Sequence, residues 1–504
     1  MPASVDAASR GVGGGLAQLT LRGTVWTLLS RILGKGLVFV STIVLARLLS
    51  QEDFGVAAYA ISLLAVFASI PALGLGPAMI VHGRDDETLS TGYWLSIAAG
   101  LLGFVAVWIL APASEVIFGD ERAVAVTRAL GLLFPIEALR NAHATLLSRR
   151  LAFRKRVGPE LTQALVKGVA SIVLAFSGWG AMALIGGNLA GAVASVPAYW
   201  IASGWRPLAS LNADAARRLL GYGGHVVGTN LLGAMIRNLD YLVIGRVLGA
   251  TALGLYVLGF RLPDLLVGQL CQVLSQVLLP VYTRVGHDRE ALARAFSATL
   301  AYVFAITAPM SIGMVLLAAP LVDALFSEKW LGAASVVPPI AIYTLLISIS
   351  FNVGDAFKAL NRPDVLLRLS LLRGCVALPA LIGTAVWLGS ATAVGWAQAG
   401  VALVSVSATL TAARWVFDLP VGSALRGLLP IAAACGAMAT AVLVSLRWLP
   451  AADCWSQLAV GVPTGAVVYL ASLRVLAPAL FDEGLRTLHA AMSRRATLAT
   501  GEAR

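Results

Sequence analysis

Apolar residues occur in long runs along most of the chain, and short polar breaks separate the runs. Breaks such as SQEDFG, FGDER and GHDRE contain the charges and turn-forming residues that end helices. A membrane-spanning helix needs roughly 20 mostly apolar residues. The pattern predicts about fourteen transmembrane helices, at 22–46, 54–80, 92–113, 123–147, 157–178, 180–203, 219–246, 252–281, 293–318, 333–359, 363–388, 391–413, 423–447 and 456–477.

The composition agrees with this pattern. Apolar residues make up 59% of the 504 residues and charged residues only 12%, and the mean hydropathy is +0.85. Soluble domains carry about 25% charged residues. We therefore predict an all-α polytopic membrane protein with loops too short to hold a soluble domain.

The distribution of cations predicts the orientation. If the N-terminus is cytoplasmic, the outer loops hold only Arg47, Arg122, Arg246, Lys329 and Arg447. The inner loops and the C-terminal tail then contain most of the rest, including Arg149, Arg150, Arg154, Lys155, Arg156, Arg206, Arg217, Arg218, Arg284, Arg289, Lys358, Arg362, Arg414, Arg426, Arg486, Arg494, Arg495 and Arg504. This excess matches the positive-inside rule with both termini cytoplasmic. It also accounts for the net charge of +12 without a nucleic-acid partner.

The chain contains a weak internal repeat. LARLLSQEDFGVAAYAISL (45–63) aligns with IGRVLGATALGLYVLGFRL (244–262), so that Arg47 matches Arg246 and Gly55 matches Gly254. FGDERAVAV similarly aligns with FSEKWLGAA. Six helices separate the copies, which predicts two lobes related by a pseudo-two-fold axis along the membrane normal, an arrangement suited to alternating access. The predicted division is a tail (1–21), two six-helix lobes (22–205 and 206–415), two additional helices (416–478) and a C-terminal tail (479–504).

Several charged and amide side chains fall inside the predicted helices. Each charge costs roughly 2.5–3.5 kcal/mol at the centre of a membrane helix, so such residues usually face a partner or a wet cavity. The candidates for substrate binding are Arg31, Lys35, Arg140, Asn141, Asn230, Arg237 and Arg261. The acidic residues inside the predicted helices include Glu137, Asp240, Asp264 and Asp355.

Sequence spacing leaves two interpretations of these charges open. Three pairs of opposite charge lie three residues apart and either neutralise one another or line a cavity: Glu137 with Arg140, Arg237 with Asp240, and Arg261 with Asp264. Arg31 and Lys35 are different because they have like charge, lie one helical turn apart and have no acid within helical reach. Their counterpart is an acid on another helix, water or an anionic ligand, and we favour a cationic cavity.

Two further features of the sequence bear on packing and chemistry. Gly187 and Gly191 are four residues apart and predict close packing between helices. The sequence has no nucleotide-binding Gly-Lys-Ser/Thr loop, no paired-histidine zinc motif and no Gly-x-Ser-x-Gly elbow. We therefore expect a protein that is not an enzyme and that uses neither a metal nor a cofactor.

Several stretches resemble one transporter family. RGTVWTLLSRILGKGLVFVSTIVLARLLSQEDFGVAAYAISLL, RNLDYLVIGRVLGATALGLYVLGFRLPDLL, LPVYTRVGHDRE and ALNRPDVLLRLSLLR are similar to segments of the Wzx-type polysaccharide flippases. These belong to the multidrug/oligosaccharidyl-lipid/polysaccharide exporter superfamily. The resemblance covers most of residues 20–415 and weakens in the last two helices.

The resemblance implies a function and a set of partners. A flippase of this kind lies in the bacterial cytoplasmic membrane and moves a polyprenyl-pyrophosphate-linked oligosaccharide to the outer leaflet for exopolysaccharide, capsule or O-antigen synthesis. The resemblance implies that H⁺ or Na⁺ drives transport, with Glu137, Asp240, Asp264 and Asp355 as the candidate ion-coupling residues. A polysaccharide polymerase and chain-length or export machinery would then use the product. The alternatives are a lipid II-type flippase, a drug/ion antiporter of the same superfamily, which would need an acidic cavity, and a polysaccharide polymerase or ligase, which would need a large outer loop.

Overall fold

The structure is a computed structural model that describes residues 32–67, 74–83, 85–448, 453–483 and 486, with the backbone alone described at 222–230, 276–277 and 279–280. Helices joined by short turns make up these residues, and no strand occurs among them. Ten of the helical segments in the described ranges are long enough and apolar enough to cross a bilayer. The all-helical fold predicted from the sequence is confirmed, and helix occupies most of the described part of each predicted span.

Contacts between helices divide the chain into two compact units. Unit 1 comprises the described residues up to Val257 together with Leu381–Ala391, and unit 2 comprises Leu258–Ala380 and the described residues from Thr392. The helices of the first half are α1 (32–48), α2 (Gln51–Phe67), α3 (Leu75–His82), α4 (Asp86–Leu110), α5 (Pro112–Phe118), α6 (Arg122–Gly131), α7 (Leu133–Arg149), α8 (Phe153–Phe176), α9 (Ala181–Ser203) and α10 (Ala213–Pro263).

The second half continues from α10 through a π-helical turn, Asp264–Gly268. Its helices are α11 (Gln269–Val285), α12 (Arg289–Leu316), α13 (Ala318–Phe326), a 3₁₀ turn (Glu328–Trp330), α14 (Leu331–Ala334), α15 (Val337–Ala359), α16 (Pro363–Leu388), α17 (Ala391–Phe417), α18 (Val421–Arg426), α19 (Leu429–Arg447) and α20 (Cys454–Leu476). A buried cluster that includes Phe296, Phe357 and Phe417 holds α12, α15 and α17 of unit 2 together.

Helix α10 is broken at Gly249, which has φ 83° and ψ −177°. This backbone conformation is open to glycine and strained for other residues. The break lies between the two spans predicted at 219–246 and 252–281, so that boundary is confirmed.

Helices α8 and α9 of unit 1 pack closely because Gly187 and Gly191 lie between them. A Cβ at Gly187 would overlap the Ser171 hydroxyl, and a Cβ at Gly191 would lie 2.6 Å from the carbonyl oxygen of Gln163. The predicted small-residue contact is therefore confirmed. Arg156 and Glu160 belong to α8, which packs against α9 and its aromatic residues.

The connection after α9 is fixed against the start of α4. Trp205 Nε1 donates to Asp86 Oδ1 at 3.2 Å, and Trp94 Nε1 donates to the carbonyl oxygen of Leu208 at 2.8 Å. Asp85 caps α4 by accepting the Thr88 N–H, and these hydrogen bonds with Thr88 hold the pKa of the Asp85 carboxyl below its usual range. The two indole hydrogen bonds therefore attach this connection to the first half of α4.

Candidate functional site

Arg140 on α7 is held by an acid and an aromatic ring. Its guanidinium donates to Glu137 Oε1 at 3.0 Å and lies 5.7 Å from the centre of the Tyr199 ring on α9. The predicted pairing of Glu137 with Arg140 is thus formed. Glu137 is about half exposed whereas Arg140 is mostly covered, so the pair presents its carboxylate outwards and its cation inwards.

Arg156 on α8 forms a second cationic centre nearby in unit 1. It donates to Ser148 Oγ at 2.8 Å and to Glu160 Oε1 at 2.9 Å. The buried Nε atoms of both Arg140 and Arg156 have no hydrogen-bond partner among the described residues. The Tyr199 hydroxyl interacts electrostatically with Arg140, Arg156 and Glu160. The packing of α7, α8 and α9 therefore places two guanidinium groups and the Glu160 carboxylate near one phenol.

Sequence reasoning missed part of this cluster. Arg156 was assigned to an inner loop as one cation among several, and neither Tyr199 nor Glu160 was a candidate. The spacing Arg156 to Glu160, four residues apart in a helix, was the available signal. The sequence gives no comparable signal for Tyr199, because its position in the cluster depends on which face of α9 packs against α7.

Asp240 on α10 lies in a different environment from that predicted. It is only 2% exposed, and it accepts hydrogen bonds from the Tyr256 hydroxyl at 2.9 Å and the Tyr241 N–H at 3.0 Å. Arg237 is exposed. The buried carboxylate of Asp240 is thus hydrogen-bonded to a tyrosine, and its neutralisation by Arg237 stays a prediction.

The third predicted pair, Arg261 with Asp264, is not formed among the described residues. Asp264 accepts a hydrogen bond from Gln269 Nε2 at 3.4 Å within the π-helical turn, and the described residues show no ion pair between Asp264 and Arg261. Asp355, in contrast, is 2% exposed and pairs with Lys358 at 3.0 Å, while the Ser275 hydroxyl donates to its other oxygen. Ser275 and Lys358 were not predicted as part of this site.

The remaining candidates lie apart from these ion pairs. Lys35 is exposed on α1, and no carboxylate lies within ion-pairing distance of it in the described part of the chain. Arg31 and the side chain of Asn230 lie outside the described residues. Asn141 lines a cavity of about 420 Å³ between α3, α7 and α8.

Two glycines that align in the predicted repeat make reciprocal contacts within unit 1. A Cβ at Gly55 on α2 would overlap the carbonyl oxygen of Ala250, and a Cβ at Gly254 would overlap the carbonyl oxygen of Gln51. In the repeat alignment Gly55 matches Gly254 and Gln51 matches Ala250. The backbones of α2 and α10 therefore approach closely at two aligned positions.

Sequence comparison finds relatives in bacterial polysaccharide synthesis. The chain is 25% identical over 376 residues to the succinoglycan biosynthesis transport protein ExoT of Rhizobium meliloti (strain 1021), covering 73% of this chain and 76% of that protein. It is 24% identical over 371 residues to the lipopolysaccharide biosynthesis protein WzxC of Escherichia coli (strain K12), covering 73% and 75%. The teichuronic acid biosynthesis protein TuaB of Bacillus subtilis (strain 168) is 26% identical over 424 residues, covering 80% and 85%.

Comparison of folds finds solved membrane transporters. A structure of the lipid II flippase MurJ in an inward closed conformation matches with a TM-score of 0.74 at 14% identity, covering 91% of this chain and 99% of that one. An inward-facing multidrug transporter of the MATE family matches with a TM-score of 0.62 at 15% identity, covering 76% and 94%. At 14–15% identity, these structural similarities establish the fold of the chain alone.

The sequence of residues 44–335, more than half of the chain, matches a family described as "Polysaccharide biosynthesis protein". The ten candidate membrane helices and the transporter relatives identify a multi-pass protein of the bacterial cytoplasmic membrane. The chain belongs to the polysaccharide biosynthesis protein family, and its fold is that of the MurJ and MATE transporters.

Proposed function

We propose that the protein is a flippase for polyprenyl-pyrophosphate-linked oligosaccharides, supplying repeat units for an exopolysaccharide, a capsule or an O-antigen. The observation that carries this proposal is the combination of a flippase-type fold over 91% of the chain with relatives that serve polysaccharide synthesis. The protein acts as a transporter and not as an enzyme. Enzymes of the same pathways polymerise the units that it delivers.

The transport mechanism is alternating access between two repeats. The proposal includes fourteen membrane spans with both termini cytoplasmic, the two lobes 22–205 and 206–415, and the additional helices at 416–478. The reciprocal contact of Gly55 and Gly254 supports the two-fold relationship on which this mechanism depends. The break at Gly249 supports the assignment of two antiparallel spans where the helix otherwise runs continuously.

The cargo is recognised by its charge. Pyrophosphate is strongly anionic, and guanidinium groups bind phosphate through paired, charge-assisted hydrogen bonds. Arg31, Lys35, Arg140, Arg237 and Arg261, with Asn141 and Asn230, are the proposed cargo-binding residues. The partly covered guanidinium of Arg140, whose Nε has no partner among the described residues, supports a role beyond neutralising Glu137.

Carboxylates inside the membrane couple transport to H⁺ or Na⁺. Of the four candidates, Asp240 and Asp355 are buried and hydrogen-bonded to hydroxyl groups, which supports protonation or ion binding at these two positions. Glu137 and Asp264 are more exposed. The assignment fails if the combined variant Glu137→Gln, Asp240→Asn, Asp264→Asn and Asp355→Asn transports with unchanged dependence on the ion gradient.

Deletion of the gene tests the function directly. We expect repeat units linked to undecaprenyl pyrophosphate to accumulate with the sugars facing the cytoplasm, as measured by labelling with a membrane-impermeant reagent in inverted vesicles. Loss of a polymerase or ligase would instead leave the repeat units accessible from the outer face. An unchanged pool of lipid-linked sugars would rule out both activities.

A double substitution tests the cationic cavity. We expect Arg31→Ala with Lys35→Ala to abolish complementation of the deletion while expression and membrane insertion are kept. Full activity of the double variant would show that these two cations do not contact the cargo. The flippase proposal itself would survive that result, because it depends on the deletion phenotype.

A further inference from the structure

A cavity of about 420 Å³ lies between α3, α7 and α8, entirely within unit 1. Its polar side is formed by Asn141, Thr145 and Ser148, one helical turn apart or nearly so along α7, and by Arg156 of α8. Its other side is apolar and consists of Pro77, Ile80 and Val81 on α3. The cavity is therefore amphipathic, with hydroxyl, amide and guanidinium groups facing hydrocarbon.

The strongest hydrogen-bond donor on the polar side is the guanidinium of Arg156. It donates to Ser148 Oγ and Glu160 Oε1, and its buried Nε has no partner among the described residues. The Asn141 amide and the Thr145 hydroxyl lie beside Gly76: Oδ1 and Oγ1 are 3.9 and 3.7 Å from the position of a Cβ built on that glycine. A guanidinium, an amide NH₂ and a hydroxyl can each donate to the oxygens of a phosphate.

The apolar side is open rather than packed. Ile80 is 46% exposed and Val81 49% exposed, and both line the cavity from α3. Exposed aliphatic side chains at such a position contact lipid chains. The adjoining connection between α7 and α8 carries Arg149, Arg150, Arg154 and Lys155, which add positive potential near the cavity.

We propose that this cavity binds the phosphate of a long-chain membrane lipid, with the phosphate against Asn141, Thr145 and Arg156 and the first part of the chain against Ile80 and Val81. The site shares Asn141 with the proposed cargo-binding residues, but the inference does not depend on the transport function, because all of its residues lie on three helices of one unit. Arg156, together with Ser148 and Glu160, which position its guanidinium, sets the preference for phosphate. The α3 side chains set the preference for a lipid over a free anion.

Binding to the purified full-length protein in a neutral detergent tests the proposal. The probes are undecaprenyl phosphate, phosphatidylglycerol, diacylglycerol and inorganic phosphate, measured by native mass spectrometry. We expect undecaprenyl phosphate, phosphatidylglycerol or both to bind, and diacylglycerol to bind far more weakly. Of the two phosphate-containing lipids, the one that binds more tightly identifies the kind of lipid that the cavity prefers. Equal binding of diacylglycerol would overturn the phosphate site, and full competition by equimolar inorganic phosphate would overturn the lipid site.

Two pairs of variants locate the binding. Arg156→Gln should weaken lipid-phosphate binding by about tenfold or more, since a hydrogen bond to a charged group contributes about 1.5–3 kcal/mol. Lys155→Gln, which removes an exposed charge from the adjacent position, should change it little. Equal losses from both variants would mean that the charge of the surface, rather than the cavity, attracts the lipid.

The second pair tests the shape of the cavity without changing any charge. Gly76→Leu should fill the cavity and remove binding, whereas Gly158→Leu on α8, where a Cβ meets nothing within 4 Å, should retain it. The second pair keeps the proposal testable if Arg156→Gln proves unstable. Retained binding in a folded Gly76→Leu protein would overturn the assignment to this cavity.

Discussion

Two segments that align in the predicted repeat, FGDER (118–122) in unit 1 and FSEKW (326–330) in unit 2, both begin at the end of a short helix and differ in chemistry. Each of these helices ends in a buried phenylalanine, Phe118 or Phe326. The next residue has positive φ in both: 70° at Gly119 and 91° at Ser327. The two backbones then diverge, because ψ is 27° at Gly119 and 164° at Ser327.

The residues that secure the two turns differ completely. In unit 1 the guanidinium of Arg122 donates to Asp120 Oδ1 and Oδ2, at 3.0 and 2.9 Å, and to Glu52 Oε1 at 2.6 Å. In unit 2 the matching position holds Trp330, which is fully buried. An ion network on the surface thus stabilises the first turn, and an indole in the interior stabilises the second. The comparison teaches that two aligned segments can both end a helix at a buried phenylalanine while one turn uses electrostatic and the other hydrophobic stabilisation.

The largest expected effect is the loss of the buried indole. Trp330→Ala should destabilise unit 2 by about 3–5 kcal/mol, because it removes a large buried side chain and leaves a cavity. Trp415→Ala is the matched control, since Trp415 is 80% exposed, and should cost far less. The measurement is unfolding in mixed micelles with increasing SDS. Similar losses in the two variants would contradict the assignment of Trp330 as the residue that secures the second turn.

A smaller effect is expected at the glycine of the first turn. Gly119→Ala should destabilise unit 1 by about 1–2 kcal/mol, because φ of 70° places an alanine in the left-handed region. A Cβ there would also lie 3.3 Å from the Arg246 guanidinium. Gly400→Ala on α17, which has open space around it, should be neutral or stabilising in the same assay.

The second turn offers the opposite substitution. Ser327 has φ 91° and ψ 164°, a conformation that costs a residue other than glycine about 1–3 kcal/mol. We expect Ser327→Gly to stabilise unit 2, by about 1 kcal/mol after the larger chain entropy of glycine is subtracted. A loss of stability in the SDS titration would show that the serine side chain contributes more than its backbone strain costs.

How far the sequence predicted these features depends on the range of the interactions. Apolar runs and breaks predicted the helices and the division at Gly249, because both depend on local composition. The pairing of Glu137 with Arg140 was also local and is confirmed. The position of Asp240 was not, because Tyr256, sixteen residues further along the chain, occupies its carboxylate. Likewise, the positions of Tyr199 and of Ser275 depend on which helix faces meet, which spacing within one helix does not determine.

The smallest expected effect, and the only one that depends on pH, concerns Arg122. Its hydrogen bonds with Asp120 hold the pKa of that carboxyl below its usual range, and the two carboxylates raise the pKa of Arg122. At neutral pH Arg122→Gln should cost only about 0.2–1 kcal/mol, since the Arg122 side chain is half exposed and solvent screens the pair. Because the folded-state pKa of Asp120 is depressed, its contribution to stability is present above about pH 3.8 and is lost as pH falls through the folded-state value. The wild-type protein should therefore lose more stability than Arg122→Gln between pH 6 and 3, as measured by thermal unfolding in detergent.

The control is an Asp120→Asn background. There Arg122→Gln should change the loss of stability between pH 6 and 3 (the acid limb) far less, because Glu52 is the only carboxylate partner of Arg122 that remains. Acid limbs that are parallel in the presence and absence of Arg122 would mean that the turn in unit 1 is stabilised by packing alone, as the turn in unit 2 is by Trp330.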